Sequence, residues 1–214
     1  MSRQFKIEKD YYCNGDNLYT KGAVTFKPGV TVLVGCNGLG KTTLLHEIEH
    51  QLNQSGVHCI KYDNLVDGGA NARSRAGFYG EMSFLATSMC SSEGENIVMN
   101  IGRVAGRIGR LVKTDPDSKE IWILLDAIDS GLSTDNVVEV KELLFKTILE
   151  DIRNEEKDIY IVVSANAYEM ARGERCLDVR NLKYRKFRNY EQYRNFILET
   201  KKQKEDRESA GKQS

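Results

Sequence analysis

The chain has no excess of charge of either sign: Lys and Arg together number 31, Asp and Glu together also 31, and the formal net charge is +0. That balance supplies no global field toward nucleic acid or an anionic membrane, although it leaves room for a local basic patch. There is no uninterrupted apolar run near the roughly 18 residues that a membrane-spanning helix needs. The opening segment MSRQFKIEKD lacks the apolar stretch of a secretory leader. The five cysteines (Cys13, Cys36, Cys59, Cys90, Cys176) are odd in number and far apart, with no pair at zinc-ligand spacing. They read as buried or incidental thiols of a reducing compartment, not as a disulfide framework. No internal repeat is visible. These absences lead to the expectation of a cytoplasmic protein with no membrane span.

What is present suits a packed core. Over 214 residues, 40% are hydrophobic and 29% charged, which fits one domain with room for a small lobe. Segments 4–12 and 22–26 alternate as strands, and Thr31-Val32-Leu33-Val34 is a continuously apolar or β-branched run suited to a central strand. Thr42 to Gln54 places Leu44, Leu45, Ile48 and Leu52 on one helical face. Further strands are expected at Val57–Tyr62, Ile121–Leu125 and Ile159–Val163, with helices over 93–112 and 137–153. Such alternation predicts a mostly parallel α/β sheet, with an antiparallel β region at the N-terminus. Residues 63–80, rich in Gly, Asp and Arg, read as a long loop. Asn189 with Gln192 reads as a helix start with Tyr193, Phe196 and Ile197 inward, and the charged stretch 201–214 as a disordered tail beyond a domain spanning 1–200.

Gly35-Cys36-Asn37-Gly38-Leu39-Gly40-Lys41-Thr42 satisfies G-x-x-x-x-G-K-[ST], entered by a buried strand and left by an amphipathic helix. Its glycines let successive amides turn toward a phosphate, and the helix N-terminus adds its dipole. Lys41 is expected on the β/γ-phosphates and the Thr42 hydroxyl on Mg²⁺. Gly35, Asn37, Gly38, Gly40 and Thr43 complete the expected ATP contacts within the chain.

From Lys21 onward, KGAVTFKPGVTVLVGCNGLGKTTLL resembles the start of an ATP-binding-cassette ATPase, with the Asn37-Gly38 pair common in that family's loop. The resemblance implies a signature motif, and Ser91-Ser92-Glu93-Gly94-Glu95 is similar to it. Gly102, Gly106 and Gly109 in the helix that follows form a stripe suggesting close approach of another backbone. Ile121-Trp122-Ile123-Leu124-Leu125-Asp126 looks like Walker B, a strand ending in a metal-holding carboxylate. Asp129-Ser130-Gly131-Leu132-Ser133 resembles the D-loop at the family's dimer interface. Lys41 and Ser91 are only 50 positions apart, too few for a coiled-coil insertion and fewer than a transporter's helical lobe, here placed at about 64–118. The implied assembly is a head-to-tail homodimer, in which Lys41 and Asp126 of one chain share ATP with Ser92 and Gly94 of the other.

Two positions depart from that pattern. The glutamate expected after the Walker B Asp is Ala127, and the switch-histidine place after the last core strand is Ala165. Alanine can neither take a proton from water nor donate a hydrogen bond, so binding is expected to persist while hydrolysis is slow. Asp129 or Asn166 is a partial substitute at neither family spacing. Asp63, Asn64 or Asp67 falls where the family has its Q-loop, without a Gln. Tyr11 or Tyr12 suits adenine stacking or core packing. Arg103, Arg107 and Arg110 share a helical face that is either solvated surface or a phosphate-contacting patch. The expected function is a weak Mg-ATPase of cassette type. The alternative is an ATP-gated module that clamps DNA or protein with essentially no hydrolysis, and the energy subunit of a transporter ranks below both.

Overall fold

The computed structural model describes residues 2–7, 22–64, 119–152 and 157–211, together with Glu95, Met99, Gly102 and Gly106. In chain order these form β1 (Arg3–Ile7), β2 (Gly22–Phe26), β3 (Gly29–Val34), α1 (Lys41–Gln54), β4 (Cys59–Asp63) and β5 (Glu120–Asp126). They continue as α2 (Thr134–Ile152), β6 (Asp158–Ser164), α3 (Tyr168–Ala171), β7 (Arg175–Asp178), β8 (Lys183–Arg185) and α4 (Tyr190–Gly211). The fold is α/β. Its main sheet has six strands in the order β4-β5-β6-β3-β7-β8, parallel except for the β7–β8 pair. A separate antiparallel pair, β1–β2, bears out the expected N-terminal β region.

The three central strands are apolar almost without interruption because both faces are covered. On one face Leu33, Trp122, Leu124, Tyr160 and Val162 pack under α1 and the β1–β2 pair. The Trp122 and Tyr160 rings stack at 4.1 Å, and Phe5 and Phe26 meet Trp122 edge-on at 5.1 and 5.8 Å. On the other face Val32, Ile123, Leu125, Ile161 and Val163 pack with Val137 and Val140 of α2 and with Tyr193 and Phe196 of α4. Burial holds the Cys59 and Cys176 thiols at about 12, so neither is a reactive thiolate. Among the described residues, no helix is long and apolar enough to cross a membrane.

Two expectations meet a different structure. The charged stretch from Lys201, expected to be disordered, continues α4 to Gly211. Local pairing carries it: Lys201 and Glu205 lie 3.7 Å apart, and Gln203 donates to Glu199 at 3.1 Å. Arg180 also bonds both Glu199 and Gln203, tying this turn to the sheet. Of the glycine stripe, Gly102 and Gly106 are helical and exposed, and a Cβ added at either meets no atom within 4 Å. Among the described residues of this single chain no backbone approaches these two positions; Gly109 lies outside the described residues.

The start of α4 follows its sequence signal. Gln192 N–H donates to Asn189 Oδ1 at 2.9 Å, while Gln192 Oε1 accepts the Arg188 N–H at 3.0 Å. Replacing Asn189 with Ala removes this cap and should lower unfolding stability by about 1 kcal/mol in urea titration, with an unchanged m-value.

Candidate functional site

Parallel strands β3, β5 and β6 end together, and their carboxyl ends open onto one cavity of about 400 Å³. A crevice at this end of an open α/β sheet is where the fold places ligands. The loop between β3 and α1 forms one wall, with Asn37, Gly38, Gly40, Lys41, Thr42 and Thr43 all lining the cavity. Gly35 follows directly on β3 and is not part of the cavity lining. Gly40 takes φ 92, a left-handed conformation that a side chain disfavours, and its carbonyl accepts the Leu44 N–H at 2.9 Å. No side chain caps α1 and no acidic residue occupies its first turn, leaving its positive end suited to an anion.

Lys41 is only 7% exposed, and its ammonium folds back to donate to the Gly35 carbonyl at 2.8 Å and the Cys36 carbonyl at 3.2 Å. Burial pushes its pKa below lysine's usual range, while Cys36, Asp129 and Asp126 pull the other way. An anion in this cavity would add negative charge where the buried ammonium lacks solvent.

Asp126, at the end of β5, lines the opposite wall and is 2% exposed, with Oδ1 lacking a hydrogen-bond partner. A buried carboxylate oxygen left unsatisfied costs at least roughly 1–3 kcal/mol unless something fills the gap. A divalent cation is the natural complement. The donor set, one carboxylate plus the exposed Thr42 hydroxyl across the cavity, fits Mg²⁺, which keeps waters and takes its remaining oxygens from phosphates. Among the described residues no group of three His, Cys, Asp or Glu side chains is placed to hold a metal by itself.

Asp129 is 8% exposed, and its Oδ1, like that of Asp126, has no hydrogen-bond partner. Its Oδ2 accepts the Asn166 N–H at 2.6 Å and the Ala167 N–H, so it clamps the segment after β6 to the segment after β5. Asn166 lines the cavity, and its carbonyl accepts the Tyr193 hydroxyl of α4 at 2.7 Å. Burial raises the Tyr193 phenol well above its ordinary range, which keeps it a donor. Ala127 lines the cavity at φ 49, held in a turn by Ser130 N–H donating to its carbonyl at 2.9 Å. Ala165 is 1% exposed and packs into the core, whereas its neighbours Ser164 and Asn166 reach the cavity.

Other sequence candidates are placed elsewhere. Asp63 sits in register beside Asp126 on the next strand but is not part of the cavity wall. Asn64 is buried, accepting from the Tyr62 hydroxyl at 3.1 Å and donating to the Ser130 carbonyl at 2.8 Å, so it braces the loop instead of approaching a metal. Ser92, Gly94, Asp67, Tyr11, Tyr12, Arg103, Arg107 and Arg110 lie outside the described residues. Ser130, Ser164, Thr200 and Lys204 were not foreseen as site residues. Ser130 and Ser164 are the small polar residues at or just past strand ends that a search for strand-terminal positions would find; Thr200 and Lys204 have no local signal. Comparison with protein-family models and with curated proteins returns no match.

Proposed function

We propose that this chain binds Mg-ATP through a phosphate loop at 35–42, in the manner of a compact ATP-binding-cassette ATPase that hydrolyses slowly. The observation that carries the reading is the pairing across one cavity of a buried lysine at a helix N-terminus with a buried Asp126 whose Oδ1 has no hydrogen-bond partner. In this reading the amides of the loop and of the first turn of α1 hold the phosphates, and Lys41 leaves its two carbonyls for the β/γ-oxygens. Thr42 and Asp126 hold the metal. Mg²⁺, when bound, neutralises phosphate charge and fixes the polyphosphate against the loop. Asp129 positions the Asn166 backbone, and Ser130, Ser164 and Asn166 supply the polar edges left to orient water.

Hydrolysis is slow in this reading because Ala127 presents a methyl where a base is needed, and Asp126 is the one carboxylate among the described cavity residues. The same observation favours a second reading, an ATP-gated clamp on DNA or protein whose output is a conformational state. Dimerisation on ATP, with Ser92 and Gly94 completing the partner's site, is part of the proposal.

Calorimetric titration with ATP, with and without Mg²⁺, tests the binding reading when paired with light scattering and single-turnover hydrolysis on the same sample. Saturable binding strengthened by Mg²⁺ is the expected result, with a mass increase toward a dimer. Absence of binding to any nucleoside triphosphate sinks the proposal. Binding and dimerisation without measurable turnover selects the clamp over the slow ATPase.

A further inference from the structure

Helix α4 bonds to the segments that border the cavity, at Asn166, Cys36 and Asn37, from three places on one helical face. Tyr193 holds the Asn166 carbonyl, as described. Thr200, fully buried, accepts the Cys36 N–H at 3.1 Å and donates its own hydroxyl to the Ile197 carbonyl at 2.8 Å. One turn on, the Lys204 ammonium donates to the Asn37 carbonyl at 3.3 Å. Positions i, i+7 and i+11 of a helix share a side, so all three contacts arise from a single docked face.

We infer that Lys204 is a second phosphate-binding cation of this site, delivered from the opposite end of the chain onto the rim of the phosphate loop. This rests on the reading of 35–42 as a phosphate loop and extends it. Gly38 takes φ 72, and a Cβ built there would stand 2.6 Å from the Lys204 ammonium. The missing side chain at Gly38 is therefore what lets the ammonium settle against the loop. Asn37 and Gly38, the two residues it touches, both line the cavity. Lys41 is part of the cavity wall, whereas Lys204, half-buried, reaches the loop from α4.

The position of Lys204 is set by packing as well as by attraction. Thr200 fixes α4 against the loop, and Arg180, itself bonded to the fully buried Asp178, grips Glu199 at 3.1 Å and Gln203 beside it. An ammonium carries three donors, so Lys204 can donate to a phosphate oxygen in exchange for a weaker contact. The phosphate is the stronger acceptor, because charge-assisted hydrogen bonds exceed those to a neutral carbonyl. The ligand class this cation serves is a nucleoside polyphosphate, with the contact made to phosphate and not to base or ribose.

The test compares unmodified protein, Lys204→Met and Lys204→Arg by calorimetric titration with Mg-ATP and with inorganic tripolyphosphate. Methionine keeps the stem that packs along the helix and removes only the charge. Lys204→Met should bind both ligands roughly tenfold more weakly, Lys204→Arg should recover most of that loss, and all three should melt alike without ligand. Equal ATP affinity in Lys204→Met and the unmodified protein overturns the inference while leaving the phosphate loop standing. Equal weakening in the Met and Arg variants overturns it too, since the side chain would then act through packing. If the unmodified protein binds neither ligand, the phosphate-loop reading itself has failed.

Discussion

Lys41→Ala is expected to weaken Mg-ATP binding by roughly two to three orders of magnitude, the 3–5 kcal/mol typical of removing one member of a buried charge pair. The alanine leaves the loop's amides in place but deletes the only buried cation among the described cavity-lining residues. Asp126 and Asp129, whose field opposes the burial effect at Lys41, would then face the incoming phosphates with no buried ammonium between them. Folding should suffer far less. The ammonium's two bonds, to the Gly35 and Cys36 carbonyls, are lost, but so is the cost of keeping a charge out of water. Calorimetric titration and a thermal melt of the ligand-free protein separate the two effects. Unchanged affinity in a folded variant would mean that residues 35–42 are only a Gly-rich turn. Lys41→Arg should fail as well, because the planar guanidinium does not fit where a compact ammonium reaches two carbonyls.

The features legible in the sequence are those whose cause is local. β3, β5 and β6 are continuous apolar runs because both of their faces are covered, and α1 shows its buried stripe at helical spacing. The glycine-rich loop that carries Lys41 is legible for the same reason: strand, glycines, lysine and helix follow one another within a few residues. β7 and β8 were not anticipated. Each has only four or three residues, too short to show a period, and their place beside β3 depends on Cys176 and Leu177 finding Val32 and Leu33 far along the chain.

The site's supports were hidden by distance in sequence. Nothing near Asp129 in sequence points to the amides of Asn166 and Ala167 that its Oδ2 holds, because they arrive beyond a different strand. Thr200 and Lys204 lie past the apolar positions Tyr193, Phe196 and Ile197 of α4, and only the docking of that helix brings them to residues 36 and 37. Ala165 drew attention as a lost switch group, yet the alternation of side chains at the end of β6 turns it into the core and turns Ser164 and Asn166 toward the cavity.

Ala127→Glu should raise ATP hydrolysis by roughly one to two orders of magnitude, below the full range of general-base catalysis because Ala165 supplies no switch group. The backbone at 127 is left-handed, at φ 49, which a side chain tolerates at some cost. Alanine already bears a Cβ, so that backbone strain is already met, and the longer side chain of glutamate starts from a position on the cavity wall. The new carboxylate stands next to Asp126, whose unpartnered Oδ1 already concentrates negative charge. That proximity opposes ionisation of both groups until a cation offsets it, so the gain should require Mg²⁺. Single-turnover phosphate release is the measurement, with Ala127→Gln as the control that keeps size and loses basicity. Adding Lys41→Ala should abolish the gain, since a base is useless without bound nucleotide. Robust hydrolysis by the unmodified protein would count against a missing base at 127. So would a glutamate variant that binds Mg-ATP normally and hydrolyses no faster, because the carboxylate would then stand away from the attacking water and β5 would not carry a Walker B arrangement.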